Sequence, residues 1–506
     1  MNIGEWTTKW ARRYPDEPCI KYGDLVLSKK EFHLRTNQTA NAFKKAGVKK
    51  GNRVAVLMGN SNVFLEILFG LAKLGAIMVP LNFRLSVPEL DFIVNNSEPM
   101  LMVYSPEFLT VVDELRPKVP TVQRFICEMD GGSDNDLHFE KWIQQYSDED
   151  PKPDEEPTLD DPHIIMYTSG TTGRPKGAVI TQGNTQWNAI NCIHMYSFES
   201  QDVGVCCAPL FHIGALNASA TPSLYAGCLY VIQRFFDPSG ILKIIEKERA
   251  TSMFGIPIMF LMMSQMPEFE QTDLASLRFF IAGGSPCPKS LIETYLKKGV
   301  NFNQGYGLTE TATAVTALRT SDALRKIGSC GKPVFHVDIK IVDLNGNETP
   351  TGEMGEILVK GPNVIKEYWK RPDDTAGTIV NGWLYTGDMG YIDEENYLYI
   401  VDRRKDMYIS GGENVYPAEV EDVLMSFNKI ADAGVIGIPD QKWGESGLAV
   451  VVKTPNAEVT EEEIIDFCKG KLAKYKIPKK VEFTAALPRT LTGKILKKDM
   501  RAMYIK

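Results

Sequence analysis

One segment, Tyr167-Thr-Ser-Gly-Thr-Thr-Gly-Arg-Pro-Lys-Gly177, combines residue types that bind phosphate. It follows the apolar run Ile164-Ile165-Met166, which predicts a buried strand that leads into a loop rich in hydroxyls and backbone N–H groups. Such a loop can wrap the phosphates of a nucleotide, and the ammonium of Lys176 can neutralise charge there. The glycines and the lysine do not have the Walker-loop spacing, Gly-x-x-x-x-Gly-Lys-Ser/Thr. The segment therefore indicates a phosphate site unlike that of the common ATPases; the alternative is a Gly/Thr surface loop without a ligand.

Short apolar runs alternate with helical patterns through the first 310 residues. This alternation predicts parallel sheets with helices on both faces, and ligands then bind at the carboxyl ends of the strands. Both the 167–177 segment and Gln304-Gly-Tyr-Gly307 stand at such ends. The predicted strands are 53–58, 76–79, 101–104, 164–167, 203–207, 229–232, 279–282 and 302–304, and a helix is predicted over 62–73.

The pattern changes from about residue 335 onward. Strands predicted at 337–342, 356–360 and 397–401 are separated by turn residues, which is typical of an antiparallel barrel or meander. After Asp402 we expect helices at 417–425 and 461–471 and strands at 433–438, 449–453 and 481–483. The Asp-, Glu- and Pro-rich stretch 148–162 is predicted to be an exposed loop. The expected fold class is α/β, with two parallel-sheet subdomains and a small β-barrel over 1–401 and a small α+β domain over 402–506.

Composition excludes several classes of protein. The chain has 506 residues, more than one hydrophobic core usually covers, and its net charge of −8 disfavours a general nucleic-acid binder. Nine cysteines show no zinc spacing, which favours a reduced, cytoplasmic setting. The longest apolar stretch, 63–81, is interrupted by Glu66 and Lys73, so we expect no transmembrane segment, and no signal peptide is evident. Residues 469–506 carry 12 Lys and Arg against 2 Asp and Glu, either as a solvated face or as an element that closes on a polyanion.

Four further motifs follow the first in order: Gln304-Gly-Tyr-Gly-Leu-Thr-Glu310, Tyr385-Thr-Gly-Asp388, Asp402-Arg-Arg-Lys-Asp406 and Pro488-Arg-Thr-Leu-Thr-Gly-Lys494. Together they resemble the adenylate-forming superfamily of acyl-CoA synthetases, luciferases and peptide-synthetase adenylation domains, over about residues 5 to 500. The local sequence 409–421 looks most like bacterial fatty-acid and aryl-acid CoA ligases. The resemblance implies that ATP activates a carboxylic acid as its adenylate, with Mg²⁺ as cofactor, and that CoA then accepts the acyl group.

The resemblance assigns roles at the phosphates. A carboxylate must attack the α-phosphate of ATP, and since both are anions, oriented donors and cations must stabilise the transition state. Lys176, Glu310, His212 and Lys494 are the expected catalytic residues: Lys176 on the β- and γ-phosphates, Glu310 on Mg²⁺ and Lys494 on the new carboxylate–phosphate bond. The positions implied to bind ATP or AMP are Thr168, Ser169, Gly170, Thr171, Thr172, Lys176, Gly283, Gly284, Ser285, Gln304, Gly305, Tyr306, Gly307, Thr309, Glu310, Asp388, Arg403 and Lys494.

Several of these positions also have simpler explanations. By resemblance, Tyr306 stacks on adenine, and Asp388, assisted by Arg403, binds the ribose hydroxyls. Gly283 and its neighbour Gly284 also suit a plain turn, and an Asp in a Thr-Gly-Asp turn is often only a cap. Glu310 alone fits a surface acid or a helix-capping partner.

The thiol step implies a second arrangement of the protein. In the family, a mobile C-terminal domain rotates about a hinge, which Asp402 matches, and withdraws the catalytic lysine. Gly411 and Gly412 match the positions that line the pantetheine tunnel, where close backbone approach favours glycine. Related aryl-acid enzymes often have lysines at the positions of Ile409 and Gly411, so Arg234 is proposed instead for a CoA phosphate.

The acid-binding segment is expected at 208–216. His212 matches a family residue beside the acyl group, and its alternative is a structural histidine. No acidic residue occurs over 208–224, which disfavours an amino-acid substrate, while small residues at Ala312 and Ala314 leave room for a larger apolar acid. The Met- and Phe-rich stretch 252–264 suits either a core or a flexible acyl chain.

The leading prediction is an ATP-dependent CoA ligase for a medium- or long-chain fatty acid. The alternatives are an aromatic or alicyclic acid, acyl transfer to a carrier protein, and a non-catalytic nucleotide-binding protein, which intact Lys176, Glu310 and Lys494 argue against. Peripheral membrane contact, the physiological direction of the reaction and the oligomeric state stay open.

Overall fold

The computed structural model describes residues 2–168, 175–285, 287–404, 406–410, 413–441, 443–469, 471–489 and 495–505. Its strands, in chain order, are β1 (Pro18–Tyr22), β2 (Leu25–Ser28), β3 (Arg53–Leu57), β4 (Ile77–Pro80), β5 (Leu101–Tyr104), β6 (Arg124–Cys127), β7 (Leu137–His138), β8 (Pro162–Thr168), β9 (Lys176–Thr181), β10 (Val203–Cys206), β11 (Leu229–Ile232), β12 (Ser252–Gly255), β13 (Phe279–Gly283), β14 (Phe302–Tyr306), β15 (Thr316–Leu318), β16 (Ser329–Pro333), β17 (Asp338–Val342), β18 (Gly355–Lys360), β19 (Glu367–Tyr368), β20 (Ile379–Val380), β21 (Trp383–Ile392), β22 (Leu398–Arg403), β23 (Tyr408–Ser410), β24 (Glu413–Val415), β25 (Ile430–Asp440), β26 (Gly444–Lys453) and β27 (Lys480–Phe483).

The helices are α1 (Glu5–Arg13), α2 (Lys29–Lys45), α3 (Asn62–Leu74), α4 (Val87–Ser97), α5 (Leu109–Leu115), α6 (Phe139–Ile143), α7 (Gln182–Tyr196), α8 (Ile213–Ala215), α9 (Thr221–Ala226), α10 (Pro238–Glu248), α11 (Pro257–Ser264), α12 (Lys289–Lys297), α13 (Thr320–Ala323), α14 (Pro372–Thr378), α15 (Pro417–Met425), α16 (Glu461–Cys468) and α17 (Lys497–Tyr504). Short 3₁₀ turns occur at Pro106–Phe108, Arg116–Lys118 and Thr309–Thr311, and Leu216–Ala220 forms a π-helical turn between α8 and α9.

The chain divides into two compact units, Met1–Asp338 with Val359–Leu384 and Ile339–Leu358 with Tyr385–Lys506. The predicted division at residue 402 puts the strands over 339–358 and 385–401 in the large domain, whereas here they group with the C-terminal residues. The reason is antiparallel pairing, since β21 pairs with β22, the strand that runs through Asp402. The division of the chain at Asp402 stays a prediction.

The first unit contains two largely parallel sheets, as the strand–helix alternation predicts. In one, the neighbours β11, β10, β12, β13 and β14 are all parallel, and antiparallel β15 and β16 follow β14. Every residue of β13 is buried, which is typical of a strand covered by helices on both faces. The carboxyl ends of these strands form one edge, where ligands bind in open α/β sheets.

The second sheet has the order β19-β9-β8-β4-β3-β5-β6-β7. Its central strands are parallel, while the last pairs, β8 with β9 and β9 with β19, are antiparallel. Its core packs strand residues such as Ala55, Val79 and Ile165 against helix residues such as Ile93 and Val112. The hairpin of β8 and β9 therefore lies at one side of a well-packed sheet.

The second unit contains antiparallel β-structure and an α+β segment. Strands β17, β18, β21 and β22 are successive neighbours, and β24, β23, β26 and β25 form a sheet to which β27 adds in parallel. A core of buried residues such as Val420, Val435 and Ile464 joins the second of these sheets to α15 and α16. The expected fold class is confirmed, with a large N-terminal and a small C-terminal domain.

The helix predicted over 461–471 ends early, at Cys468. The stretch 148–162 is largely exposed and irregular, as predicted. It is also held in place, because Asn37 donates to the carbonyl of Asp148 (2.8 Å) and Lys73 pairs with Asp150 (3.3 Å). Among the described helices, none is long and apolar enough to cross a membrane.

Candidate active site

Lys176 begins strand β9 and pairs with Thr168, the last residue of β8. The next pair is Tyr167 with Gly177, where a Cβ on the glycine would lie 2.7 Å from the Cγ2 atom of Ile165. Burial raises the pKa of Tyr167, whose hydroxyl donates to Oδ1 of Asn96 (2.6 Å). The base of the hairpin is thus fixed by packing and by a hydrogen bond, and it supports Lys176.

A segment that the sequence did not single out connects this hairpin to the other sheet. We call residues 365–375 the strap. The N–H of Trp369 in the strap donates to the carbonyl of Gly177 (2.7 Å), while that of Ile365 donates to the carbonyl of Glu310 (2.9 Å). The strap therefore binds the phosphate-loop strand of one sheet and the Thr-Glu motif of the other.

Side chains of the strap contact both predicted catalytic groups. The hydroxyl of Tyr368 donates to Oε1 of Glu310 (2.8 Å), and the ammonium of Lys176 lies 5.4 Å from the centroid of the Tyr368 ring. Lys176 also forms an ion pair with Oδ1 of Asp374. The structure thus brings Lys176 and Glu310 to one place, with Tyr368 between them.

The backbone that carries Glu310 is folded tightly. After β14, the chain makes the 3₁₀ turn Thr309–Thr311 and then two residues with positive φ, Ala312 (47°) and Thr313 (119°). A Cβ at Gly307 would lie 1.2 Å from the carbonyl oxygen of Thr313, so only glycine fits there. The position of Glu310 is therefore set by a strained, over-determined loop.

Two buried asparagines, which no sequence motif marks, hold this loop. Asn363 donates to the carbonyls of Thr311 (2.8 Å) and Ala314 (2.7 Å), while Oδ1 of Asn188 accepts from the N–H of Ala314 (2.9 Å). Both asparagines are fully buried. A buried amide in an apolar surrounding needs such partners, and here the partners are the backbone groups of the loop.

The same loop is hydrogen-bonded to the predicted acid-binding segment, residues 208–216, and to the helical turn after it. Asn217, in the π-helical turn, donates to the carbonyl of Ala312 (3.1 Å), and the hydroxyl of Thr313 donates to the carbonyl of Ile213 (3.0 Å). Ile213 directly follows His212, which stands half-buried before α8. These two hydrogen bonds therefore link the loop that carries Glu310 to the segment that carries His212.

Replacing Asn363 by alanine should destabilise the fold and loosen the loop. The change leaves two buried carbonyls without their donor, which costs about 2 kcal/mol in the free energy of unfolding. We expect the KM for ATP to rise as well, because the loop carries Glu310. Urea denaturation and steady-state kinetics measure the two effects. Asn95→Ala is the matched control, since exposed Asn95 also donates to two carbonyls; equal effects of both changes would contradict the assigned role of Asn363.

The predicted adenine-binding positions lie at strand ends where neighbouring backbones approach each other closely. Gly283 and Gly305 are paired, and a Cβ at Gly305 would lie 3.0 Å from the hydroxyl of Tyr196. Gly284 has φ +84°, which favours glycine, and Ser285 after it is exposed. In β14, Gln304, Gly305 and Tyr306 are partly exposed. The carboxyl ends of β13 and β14 are therefore partly accessible, as the binding of a base requires. The turn predicted at Gly283 and Gly284 is present as well.

The wall beside His212 is apolar. A Cβ at Gly214 would lie 2.7 Å from the Phe254 ring, and one at Gly283 would lie 3.4 Å from it. Ile256, directly after β12, lies against Gly284, directly after β13, where a Cβ would be 3.4 Å from its Cγ2 atom. Phe254 and Ile256 therefore pack against glycine backbone in α8 and at the carboxyl end of β13.

In the second unit, Asp388 is buried and opposite Arg403 in the β21–β22 ladder. Its N–H donates to the hydroxyl of Thr386 (3.1 Å), as expected of a turn, and Glu356 accepts from the N–H of Gly387 (3.1 Å). The hydroxyl of Thr386, and not the carboxylate of Asp388, makes this turn, which is compatible with the predicted ribose role of Asp388.

Asp402, the predicted hinge residue, contacts its own unit. Its Oδ2 accepts from the N–H of Ala418 (2.8 Å), near the start of α15, and lies 3.8 Å from the ammonium of Lys497. Lys497 also pairs with Glu421 (3.1 Å), whose pKa is raised because burial outweighs the lowering effect of that lysine. Any hinge motion here therefore begins next to a buried charge cluster.

Arg234 does not suit its predicted role. Its guanidinium donates to both carboxylate oxygens of Glu107 (2.6 and 2.8 Å), to Glu128 (2.9 Å) and to the hydroxyl of Tyr22 (2.9 Å). Burial lowers the pKa of Arg234, but its two carboxylate partners outweigh burial and raise it. A CoA phosphate would have to displace a carboxylate from this guanidinium, so Arg234 is not part of the CoA site that we propose.

The model for AMP-binding enzymes matches residues 7–369, and that for their C-terminal domain matches residues 419–494. The chain belongs to the AMP-binding enzyme family. A feruloyl-CoA synthase of Amycolatopsis is 40% identical over 100% of this chain and 99% of its own, and a long-chain-fatty-acid–CoA ligase of Mycobacterium tuberculosis is 40% identical over 95% and 94%. The structure of the o-succinylbenzoate CoA synthetase of Bacillus subtilis with ATP and magnesium aligns with a TM-score of 0.86 at 33% identity, covering 98% of this chain and 99% of that one.

This AMP-binding enzyme is therefore an AMP-forming acid–thiol ligase, similar over its whole length to bacterial acyl-CoA synthetases. Among its described residues, no group of three or more His, Cys, Asp and Glu could hold a metal ion. The single carboxylate of Glu310 still fits Mg²⁺, which takes one or two protein carboxylates together with substrate phosphates and water. Mg²⁺ is then expected to arrive with ATP.

Some predicted residues of the ligase lie outside the described residues. They comprise most of the hydroxyl-rich loop, the two tunnel glycines and the C-terminal lysine. These are Ser169, Gly170, Thr171, Thr172, Gly411, Gly412 and Lys494.

Proposed function

We propose that this enzyme is an ATP-dependent acyl-CoA ligase for a medium- or long-chain fatty acid. Its two half-reactions form an acyl-adenylate with release of pyrophosphate, and then an acyl-CoA thioester with release of AMP. The juxtaposition of Lys176, Tyr368 and Glu310 supports the first half-reaction, because it combines a cation for phosphate with a carboxylate for Mg²⁺.

In the adenylation step, Lys176 binds oxygens of the β- and γ-phosphates and Thr309 contacts the α-phosphate. Mg²⁺ held by Glu310 would neutralise charge on the phosphate oxygens. Tyr368 keeps one oxygen of Glu310 occupied as a hydrogen-bond acceptor, so the carboxylate has a fixed direction. Lys494 supplies positive charge at the carboxylate–phosphate bond as the bond forms. These roles combine positioning with electrostatic stabilisation, which is what phosphoryl-group chemistry demands.

A long apolar acid is the substrate that the wall beside His212 supports best. Ile256 is followed directly by α11, where Ile258, Leu261 and Met262 are exposed. These three side chains are spaced i, i+3 and i+4, so they share one face of the helix. Scattered exposed apolar residues are common, but these three closely follow the apolar residues Phe254 and Ile256 in the chain, and an apolar surface of this kind suits an alkyl chain.

An aromatic acid is the second candidate, and Phe254 is the observation that favours it. Its ring lies between Gly214 and Gly283, so it presents a rigid flat surface bounded by backbone. A planar ring can stack on such a surface in an offset or edge-to-face arrangement. The feruloyl-CoA synthase relative is consistent with this second candidate.

The thioester step needs a path for CoA. We propose that the C-terminal unit moves about Asp402, that Gly411 and Gly412 then line the pantetheine path, and that His212 stands beside the acyl carbon. The same relatives support CoA as the acceptor in preference to a carrier protein.

A panel of acids with ATP, Mg²⁺ and CoA tests the proposal, with AMP release as the measurement. We expect kcat/KM for dodecanoate and hexadecanoate to exceed that for ferulate at least about tenfold, because each buried CH₂ contributes about 0.8 kcal/mol. A preference for ferulate would establish the aromatic candidate instead. Release of AMP without thioester would contradict CoA as the acceptor.

The variant Ile258→Asp separates chain-length recognition from catalysis. We expect kcat/KM for hexadecanoate to fall about fivefold or more, because charge replaces an apolar contact of the chain, while that for butanoate stays unchanged. Leu344→Asp is the matched control, since Leu344 is equally apolar and exposed but lies on a turn of the second unit. An unchanged kcat/KM for hexadecanoate, or an equal loss of kcat/KM for both acids, would contradict this place for the alkyl chain.

A further inference from the structure

Asp374 makes an ion pair with the lysine that we assign to the phosphates. Its Oδ1 accepts from the ammonium of Lys176, and its Oδ2 lies 3.8 Å from the guanidinium of Arg371. The side chains of Lys176 and Asp374 are 12% and 24% exposed, so this pair is shielded from water more than a surface pair would be. The carboxylate thus neutralises the charge of Lys176 at a place where solvent screens the electrostatic interaction less than at the surface.

The strap fixes the place of this carboxylate. Asp374 lies in the first turn of α14, and Thr375 beside it donates to the carbonyl of Arg371 (2.8 Å). The hydroxyl of Thr375 also accepts from the N–H of Tyr368 (3.0 Å). Asp374 is therefore held next to the aromatic ring over which Lys176 lies, through contacts that do not depend on Lys176.

Asp374 and the terminal phosphates of ATP are alternative anionic partners of one ammonium. Lys176 can donate three hydrogen bonds, but its single charge cannot neutralise a carboxylate and a triphosphate at once. A carboxylate in contact with the ammonium also repels phosphate oxygens that approach it. The placement of a fixed acid at this lysine hence weakens phosphate binding and does not strengthen it.

We propose that Asp374 is a competing counter-ion for Lys176, which lowers the affinity of the site for ATP and pyrophosphate and so helps pyrophosphate to leave. This inference rests on the proposed function, because it takes Lys176 as the phosphate-binding lysine. Asp374 is a positioning residue, which acts on the phosphates through Lys176. When pyrophosphate departs, Lys176 returns to Asp374, so the ammonium keeps a partner and desolvation of an unpaired charge is avoided.

Equilibrium binding of magnesium pyrophosphate and MgATP to the full-length protein tests the inference without any acid substrate. We expect Asp374→Asn to lower both dissociation constants about tenfold, and pyrophosphate to become a correspondingly stronger product inhibitor. Asp374→Glu should restore values within about threefold of the wild type, since it retains the charge. A residue that merely holds Lys176 in place would give the opposite sign. Higher or unchanged dissociation constants for Asp374→Asn overturn the proposal.

Asp373→Asn is the matched control, because Asp373 is exposed and lies in the same first turn of α14. It removes the same charge from the helix terminus, so it measures the effect on the helix alone, and we expect no more than a twofold change. If Asp374→Asn does not fold, Asp374→Ser removes the same charge and carries the same expectation.

A double-mutant cycle with Lys176→Gln assigns the effect to the pair. In the Lys176→Gln background, Asp374→Asn should change pyrophosphate binding less than twofold. A full tenfold effect there would show that Asp374 acts through Arg371 and would overturn the proposal. The wild type separates the two hypotheses, since failure of wild-type protein to bind MgATP contradicts the proposed function, whereas normal wild-type binding with an inert Asp374 contradicts only the inference.

Discussion

Replacing Lys494 by alanine should lower acyl-adenylate formation about a thousandfold, while transfer from a supplied acyl-adenylate to CoA stays within about threefold. The ammonium is assigned to the bond between carboxylate and phosphate, where negative charge develops in the adenylation transition state. Loss of a donor aimed at such charge typically costs about 10²–10³ in rate. We propose that this lysine is withdrawn in the second half-reaction, so that step should hardly respond.

The two half-reactions are measured separately, by acid-dependent exchange of pyrophosphate into ATP and by thioester formation from synthetic acyl-adenylate. Lys498→Ala is the matched control, because Lys498 is an exposed lysine of the same basic segment, in α17. It should leave both rates within about twofold. Equal losses in both half-reactions for Lys494→Ala would contradict its assignment to adenylation.

The second large effect concerns the Thr-Glu loop. Gly307→Ala should destabilise the protein by about 4 kcal/mol and abolish measurable MgATP binding. The added Cβ would lie 1.2 Å from the carbonyl oxygen of Thr313, which is backbone and has no side-chain freedom to relieve the overlap. The loop must move, and Glu310 must move with it.

Urea denaturation and calorimetric ATP binding measure this outcome. Gly377→Ala is the matched control, because no atom lies within 4 Å of a Cβ built there and the residue is within α14. That change should be neutral or stabilise the protein by up to about 1 kcal/mol, since alanine is the better helix former. A stable Gly307→Ala variant that still binds MgATP would show that the loop adjusts more freely than its contacts indicate.

Hydrophobic patterning predicted many of the buried strands of the two parallel sheets, but it did not predict β6, β7 or β12. The run at 101–104 and the run at 229–232 are strands with the predicted bounds. Helix α16 ends three residues early, at Cys468, where the backbone turns extended at Lys469 and the next residue in the sequence, Gly470, disfavours a helix. Local sequence preference therefore predicted the positions of helices and strands better than the residues at which they end.

Contacts between distant parts of the chain could not be predicted from local patterns. Asn363 lies 52 and 49 residues from the two carbonyls that it binds, and nothing in its surrounding sequence marks it. Arg234 was selected because it follows a strand, yet Glu107 and Glu128, more than a hundred residues earlier, engage its guanidinium. Motif resemblance predicts which residues act on ATP, whereas the groups that contact these residues are visible only in the three-dimensional structure.

The strap has a consequence for how the enzyme is made. Lys176 meets Asp374 across 198 residues of chain, and Glu310 meets Tyr368 across 58. A nascent chain that has emerged only as far as β16 already contains Lys176 and Glu310, but it lacks the strap that contacts both. The contacts that hold these two residues in one place can therefore form only after residues 365–375 have been made.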